Sequence, residues 1–84
     1  MKHTVRYLPE AEQELAALWM DSSKRDSITE AAHRIDQQLQ HAPEQLGESR
    51  PQDCRIYFDA PLAVLFRVLL SSQLVEVVHI WEFD

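Results

Sequence analysis

The sequence predicts a single α+β domain with the element order β-α-α-β-β-β. Three observations carry that reading. Two apolar stripes at helical spacing fill the first half of the chain. An alternating segment and a nearly continuous apolar run fill the second half. At 84 residues there is room for one domain, so nearly every apolar position has to serve one small core.

Thr4 to Tyr7 is a short β-prone piece that puts Val5 and Tyr7 on one face. Pro9 opens the first helix, since a first-turn residue has no N–H bond to lose. Glu10, Glu12 and Glu14 follow, where acids suit the positive end of the helix dipole. Ala11, Leu15, Leu18 and Trp19 form its apolar stripe, and the helix is expected to end near Asp21, with a turn at Ser22 and Ser23. Ser27 and Glu30 have capping-box spacing, which predicts a second helix from Ser27. Its stripe is Ile28, Ala31, Ala32, Ile35, Leu39 and Ala42, and Pro43 stops it. Such a hairpin has to bury its stripe against another layer.

The C-terminal third supplies that layer. Cys54 to Phe58 alternates, with Cys54, Ile56 and Phe58 on one face and Arg55 and Tyr57 on the other. Asp59-Ala60-Pro61 reads as a turn. Leu62 to Leu70 is apolar apart from Arg67, as in a central strand covered on both faces. Ser71-Ser72-Gln73 is a second turn, and Leu74 to Trp81 is the last strand. The predicted core is Leu15, Leu18, Ile28, Ile35, Leu39, Ile56, Phe58, Val64, Phe66 and Val68.

Charge and composition narrow the function. The chain is 45% hydrophobic and 26% charged, ordinary for a globule, with a net charge of −6. That balance opposes strong non-specific nucleic-acid binding, which needs clustered Lys and Arg. A single cysteine, Cys54, rules out an intramolecular disulfide and suits a reducing cytoplasm. The N-terminal residues have no long apolar run behind their charges, so no signal peptide and no membrane association are expected. The histidines lack ligand spacing with one another or with Cys54, so neither a metal site nor a cofactor is expected.

Four groups of residues are candidates for chemistry. Gly47-Glu48-Ser49-Arg50 contains the chain's one glycine, so a turn at positive φ is expected. Glu48 as a base beside a phosphate-holding Arg50 is sensible chemistry for activating a 2′-hydroxyl; the bland alternative is a structural ion pair. Arg55 and Tyr57 share a strand face that either contacts RNA or a partner, or is simply solvated. Arg67 interrupts the most apolar strand and must reach water or a partner. His79, Trp81 and Phe83 alternate, as a general acid beside stacking platforms or as residues that close the core.

Several of these segments resemble the RelE/ParE superfamily, the toxins of bacterial type II toxin–antitoxin pairs. Tyr7-Leu8-Pro9-Glu10-Ala11-Glu12-Gln13-Glu14-Leu15 is similar to the family's opening "Y-x-P-E-A-E-x-x-L", with Trp19 after it. Pro43 to Arg50 resembles its "x-P-x-x-G-x-x-R" loop, Val64 to Val68 its "V-L-Y-R-V" strand, and Val75 to Trp81 its last strand. The resemblance implies a curved antiparallel sheet with the hairpin on one face and a functional face opposite. It implies a cognate antitoxin partner, and a target that is either translation, through mRNA cleavage on the ribosome, or DNA gyrase. It makes Glu48, Arg50, Arg55 and His79 the candidate catalytic residues, with Arg67, Tyr57, Trp81 and Phe83 as binding residues. The chain departs from the RNase pattern at Pro61-Leu62-Ala63, where a catalytic arginine is common, and at the end Trp81-Glu82-Phe83-Asp84, which has no basic or phenolic group. It lacks the gyrase-type "H-G-x-R" ending as well. The alternative is therefore a non-catalytic binding module that keeps the fold and partner interface. Arg50, Arg55 and Arg67 are expected to converge on the open face of the sheet near Glu48 and Trp81, if Ile56 meets the helices.

Overall fold

The hydrophobic patterns resolve into two helices and five strands in a computed structural model that describes residues 2–21 and 23–83. Ser22, expected in the turn, and Asp84, at the tail, lie outside the described residues. The strands are β1 (Thr4–Tyr7), β2 (Glu48–Arg50), β3 (Cys54–Asp59), β4 (Leu62–Leu69) and β5 (Leu74–Glu82). The helices are α1 (Pro9–Asp21) and α2 (Arg25–His41).

α2 starts two residues before the capping-box serine, so Ser27 lies inside the helix and makes no cap. Arg25, the first residue of α2, ties the two helices together. The guanidinium donates to the carbonyls of Trp19 (2.9 Å) and Met20 (3.1 Å), satisfying acceptors that the end of α1 leaves open. Pro43 ends α2 as expected and begins a 3₁₀ turn, Pro43–Gln45. Gly47 sits at φ +64°, and a side chain there would run into the Ile56 carbonyl. The segment after it is a short strand rather than a loop.

The sheet order is β1-β5-β4-β3-β2. β1 runs parallel to β5, and the remaining pairs are antiparallel. The sheet is thus mixed rather than wholly antiparallel, because the helical hairpin carries the chain from β1 to β2 at the far edge, and three antiparallel pairings bring it back to β5 beside β1. Both helices cover one face. Ala11, Ile28, Ala31, Ile35 and Leu39 bury against Leu62, Val64, Phe66, Val75, Val77 and Ile80. Leu15, Leu18 and Val68 pack at the margin of this core, as expected. Arg34 clamps the β3–β4 turn from α2, through Asp59 at 2.9 Å and the Ala60 carbonyl at 3.4 Å.

The facing of β3 is the reverse of the expectation. Tyr57 is in register with Val64, and Arg55 with Phe66, so both lie on the helix side, and Tyr57 packs on the core. Ile56 and Phe58 point to the open face, where Phe58 is 51% exposed. The more apolar set of β3 faces outward because the open face carries an apolar patch of its own. A bulge in β5 has a second effect on facing. Leu65 pairs with His79 but Phe66 pairs with Val77, so Val78 is the extra residue. Val77 faces the core, and the bulge turns His79 to the open side.

Candidate functional site

The open face of the sheet is built from rows of residues in register. One row runs Arg50, Cys54, Arg67, Glu76, Arg6 across all five strands. The next runs Glu48, Ile56, Leu65, His79, and a third runs Phe58, Ala63, Trp81. The face therefore has a charged half and an apolar half. In the apolar half Phe83 meets Phe58 edge to face at 5.2 Å between ring centroids. Trp81 is 37% exposed beside them.

Of the three arginines expected to converge here, Arg67 and Arg50 share a row and Arg55 does not. Arg55 is on the opposite face. It donates to the Leu46 carbonyl (2.6 Å), the Gly47 carbonyl (3.0 Å) and Ser49 Oγ (3.0 Å). Its whole fork is spent on holding the loop before β2. Tyr57, on the same face, belongs to the core margin. Arg6, which sequence reasoning missed, completes the open-face row opposite Glu76; a lone arginine in a four-residue strand gave no signal of its facing.

The two arginines that do share the face are neutralised inside the chain. Arg67 donates to Glu76 Oε1 at 2.8 Å, and that bond and the carboxylate charge hold its guanidinium above its ordinary range. Arg50 donates to Glu48 Oε2 at 3.0 Å and to the Ser49 carbonyl at 2.9 Å. Glu48 and Arg50 thus form an exposed ion pair within β2.

His79 is the predicted residue whose ring is held by a carboxylate from another element. Its Nδ1 lies 3.1 and 3.3 Å from the two oxygens of Glu14, on α1. Glu14 also accepts the backbone N–H of Ile80 at 3.1 Å. β1 stops at Tyr7, opposite Val77, so the later part of β5 has no strand beside it there. The Glu14 carboxylate covers that edge and orients the imidazole. This arrangement favours the tautomer with its proton on Nδ1 and leaves Nε2 without a partner among the described residues. Sequence reasoning assigned Glu14 only to the helix dipole.

A second concavity lies between the helices. Tyr7, Leu15, Ala16, Trp19, Met20 and Ile28 line an apolar groove of about 750 Å³. Trp19, on the predicted apolar stripe of the first helix, is 45% exposed on the groove wall, and Met20 is 68% exposed beside it. Tyr7, at the groove's inner end, has its phenol pushed up to about 12 by burial and then by the charge of Asp36. Among the described residues no group of His, Cys, Asp and Glu has the arrangement to hold a metal ion. No described helix is long and apolar enough to cross a membrane.

No protein-family model and no curated protein sequence matches the chain. Solved structures do. The chain is similar to the toxin–antitoxin complex RelBE2 of Mycobacterium tuberculosis, with a TM-score of 0.81 and 15% identity over 98% of this chain and 92% of that one. It is similar to the chromosomal ParDE toxin–antitoxin system of P. aeruginosa, with a TM-score of 0.67 and 17% identity over 99% and 98% of the two chains. It is also similar to the isolated RelE toxin of E. coli, with a TM-score of 0.67 and 14% identity over 98% and 85%. At these identities the likeness establishes the fold.

Proposed function

We propose that this chain, which has the fold of the RelE and ParE toxins, is a divergent member of that superfamily and the toxin-type component of a type II toxin–antitoxin pair. Its partner is a cognate antitoxin, and it acts on translation or on DNA gyrase by contact rather than by RNA cleavage. The fold likeness, which runs nearly end to end in both chains, supports the pairing. The observation that carries the mode of action is the state of the arginines. Arg50, Arg55 and Arg67 all have partners within the chain, which leaves no preorganised cluster to stabilise charge on a transferring phosphate. Contact with a protein target asks for no such cluster.

The test has two parts. The product of the adjacent reading frame, co-expressed with the tagged chain, should co-purify at a fixed ratio. Induction of the chain alone should slow growth, and co-expression should restore it. Absence of a binding neighbour and full tolerance of the chain would together defeat the reading. A chain that binds an antitoxin yet is tolerated is a binding module that keeps the interface without toxicity.

One observation favours a second reading, an mRNA-cleaving toxin. Glu14 holds the His79 ring through Nδ1 at a strand position that shares a face with Arg67, and Nε2 has no partner among the described residues, as a general base requires. On that reading pure protein added to a translating extract cuts mRNA, and His79→Ala abolishes the cuts. Intact mRNA in that extract rejects it.

A further inference from the structure

We propose that the open face of the sheet is a self-association surface, on which a second copy of this chain stacks sheet against sheet. The two copies are related by a two-fold axis that runs parallel to the strands, midway between β3 and β4.

A sheet with one solvated face ordinarily turns its apolar residues inward and its polar ones outward. Here β3 does the reverse. Both helices lie on the other side, yet Ile56 and Phe58 point outward, and β4 sets Leu65 beside Ile56. Trp81 and Phe83 extend this apolar surface, with Phe83 packed edge to face on Phe58. Ala63, between Phe58 and Trp81 in its row, is fully buried although it lies outside the helix-side core. Phe58 and Trp81 themselves stay exposed, and such surface gains from removal from water. Two sheets stack about 10 Å apart with their inner side chains interdigitated, which is the geometry that would cover this face.

Register and charge select a second copy as the occupant. From β2 to β5 one row reads Arg50, Cys54, Arg67, Glu76, and the next reads Glu48, Ile56, Leu65, His79. Turning a second copy about the stated axis sets β2 against β5 and β3 against β4. Arg50 then faces Glu76 of the second copy, and Glu48 faces its His79. Ile56 meets Leu65, and Phe58 meets Ala63, a large side chain over a small one. The symmetry makes each contact twice. The in-chain pairs Arg50–Glu48 and Arg67–Glu76 become parts of one network of alternating sign. A partner of a single charge sign would instead compete with those pairs. The helical side is unsuited to the same role. Residues 9–41 carry seven carboxylates and three Lys or Arg, so two copies meeting there would oppose −4 to −4. The four overlapping strands span at most roughly 500 Å² on each copy, from strand spacings of about 4.8 Å and a rise of about 3.3 Å per residue. An interface of that size is weak and reversible, with a dissociation constant on the order of 10 μM. It covers His79 and the arginine row, so the monomer alone presents that face.

Sedimentation equilibrium over a concentration series provides the test. The parent chain should pass from monomer to dimer mass within the micromolar range. Phe58→Glu, at an exposed position, should keep the chain monomeric. Met20→Glu makes the same charge change at an exposed position on the helical side and should leave association as it was. Arg50→Glu sets like charge against Glu76 of the second copy and should weaken association about tenfold. Circular dichroism checks that each variant is folded; if Phe58→Glu is not, Arg50→Glu decides against Met20→Glu. A parent chain that stays monomeric up to about 1 mM overturns the proposal. So does association that survives both Phe58→Glu and Arg50→Glu, or association that Met20→Glu abolishes.

Discussion

Arg55 shows how one side chain can look functional in sequence and be structural in place. Its three acceptors all lie on the segment from Leu46 to Ser49, which enters the sheet as edge strand β2. That segment is tightly seated, since Gly47 leaves no space for a side chain against Ile56. Without the guanidinium, two backbone carbonyls lose a charged donor. Arg55→Ala should therefore lower stability by about 1–3 kcal/mol, read from the denaturant midpoint, and should raise amide exchange in residues 46–50. Unchanged exchange there would mean that the loop is held by the glycine turn alone. Tyr7 yields a prediction of different sign structure. Its phenol titrates near 10 in the unfolded chain and about 12 in the folded one, chiefly because burial disfavours the phenolate. The neutral form is favoured in the fold, so this contribution is whole below pH 10 and is lost as pH rises from 10 towards 12. About 2–3 kcal/mol should disappear across that window, and Tyr7→Phe should flatten the decline. A phenolate appearing at pH 10 in absorbance at the tyrosinate band would contradict it.

The elements were legible in proportion to how one-sided they are. α2 carries its apolar residues on a single stripe, and Ile28, Ile35 and Leu39 are buried as the periodicity requires. Ile35→Ala should cost about 2–5 kcal/mol, most of the stability of so small a domain, and an unchanged melting curve would mean that the stripe packs elsewhere. β3 was not legible, because alternation tells which residues share a face but not which face is inside. Cys54, Ile56 and Phe58 outweigh Arg55 and Tyr57 in hydrophobicity, yet they line an open face already furnished with Leu65, Ala63 and Trp81. The facing can be checked by substitution. Tyr57→Ala should cost roughly 2–4 kcal/mol, in the range of a large buried side chain. Phe58→Ala should change stability by about 1 kcal/mol or less. The reverse order would restore the original facing. The last strand was half legible for a related reason. Alternation linked His79 to Trp81, but the bulge at Val78 separates both from Val75 and Val77, and only pairing with β4 reveals it. The Glu14 contact was out of reach of sequence, since it joins residues 65 positions apart across a sheet edge.

At the scale of the molecule, the eight Lys and Arg side chains face fourteen Asp and Glu, and their placement matters more than the total. Arg34, Arg50 and Arg67 are paired with Asp59, Glu48 and Glu76. Arg25 and Arg55 are bound to backbone carbonyls. Lys2 and Arg6, which form no ion pair among the described residues, sit at one end of the chain. An RNA strand approaching the open face meets arginines whose charge is matched nearby and a half that is aromatic. Binding of a short single-stranded RNA near physiological salt, followed by fluorescence anisotropy, should be weaker than about 10⁻⁴ M, the weak limit of ordinary non-specific binding. Its dependence on salt should be shallow, because few counterions are released. The pairing itself can be removed. A Glu48→Gln, Glu76→Gln double variant frees Arg50 and Arg67 on one row of the sheet without altering their positions in the fold. Each freed arginine that then meets a phosphate should steepen the slope of log affinity against log salt by about 0.7, with tighter binding at low salt. Tight binding with a steep slope in the parent chain would show that the acidic balance does not govern the open face. A double variant that stays as weak and as flat as the parent would show that the face lacks the shape to follow a phosphate backbone even when its charge is released.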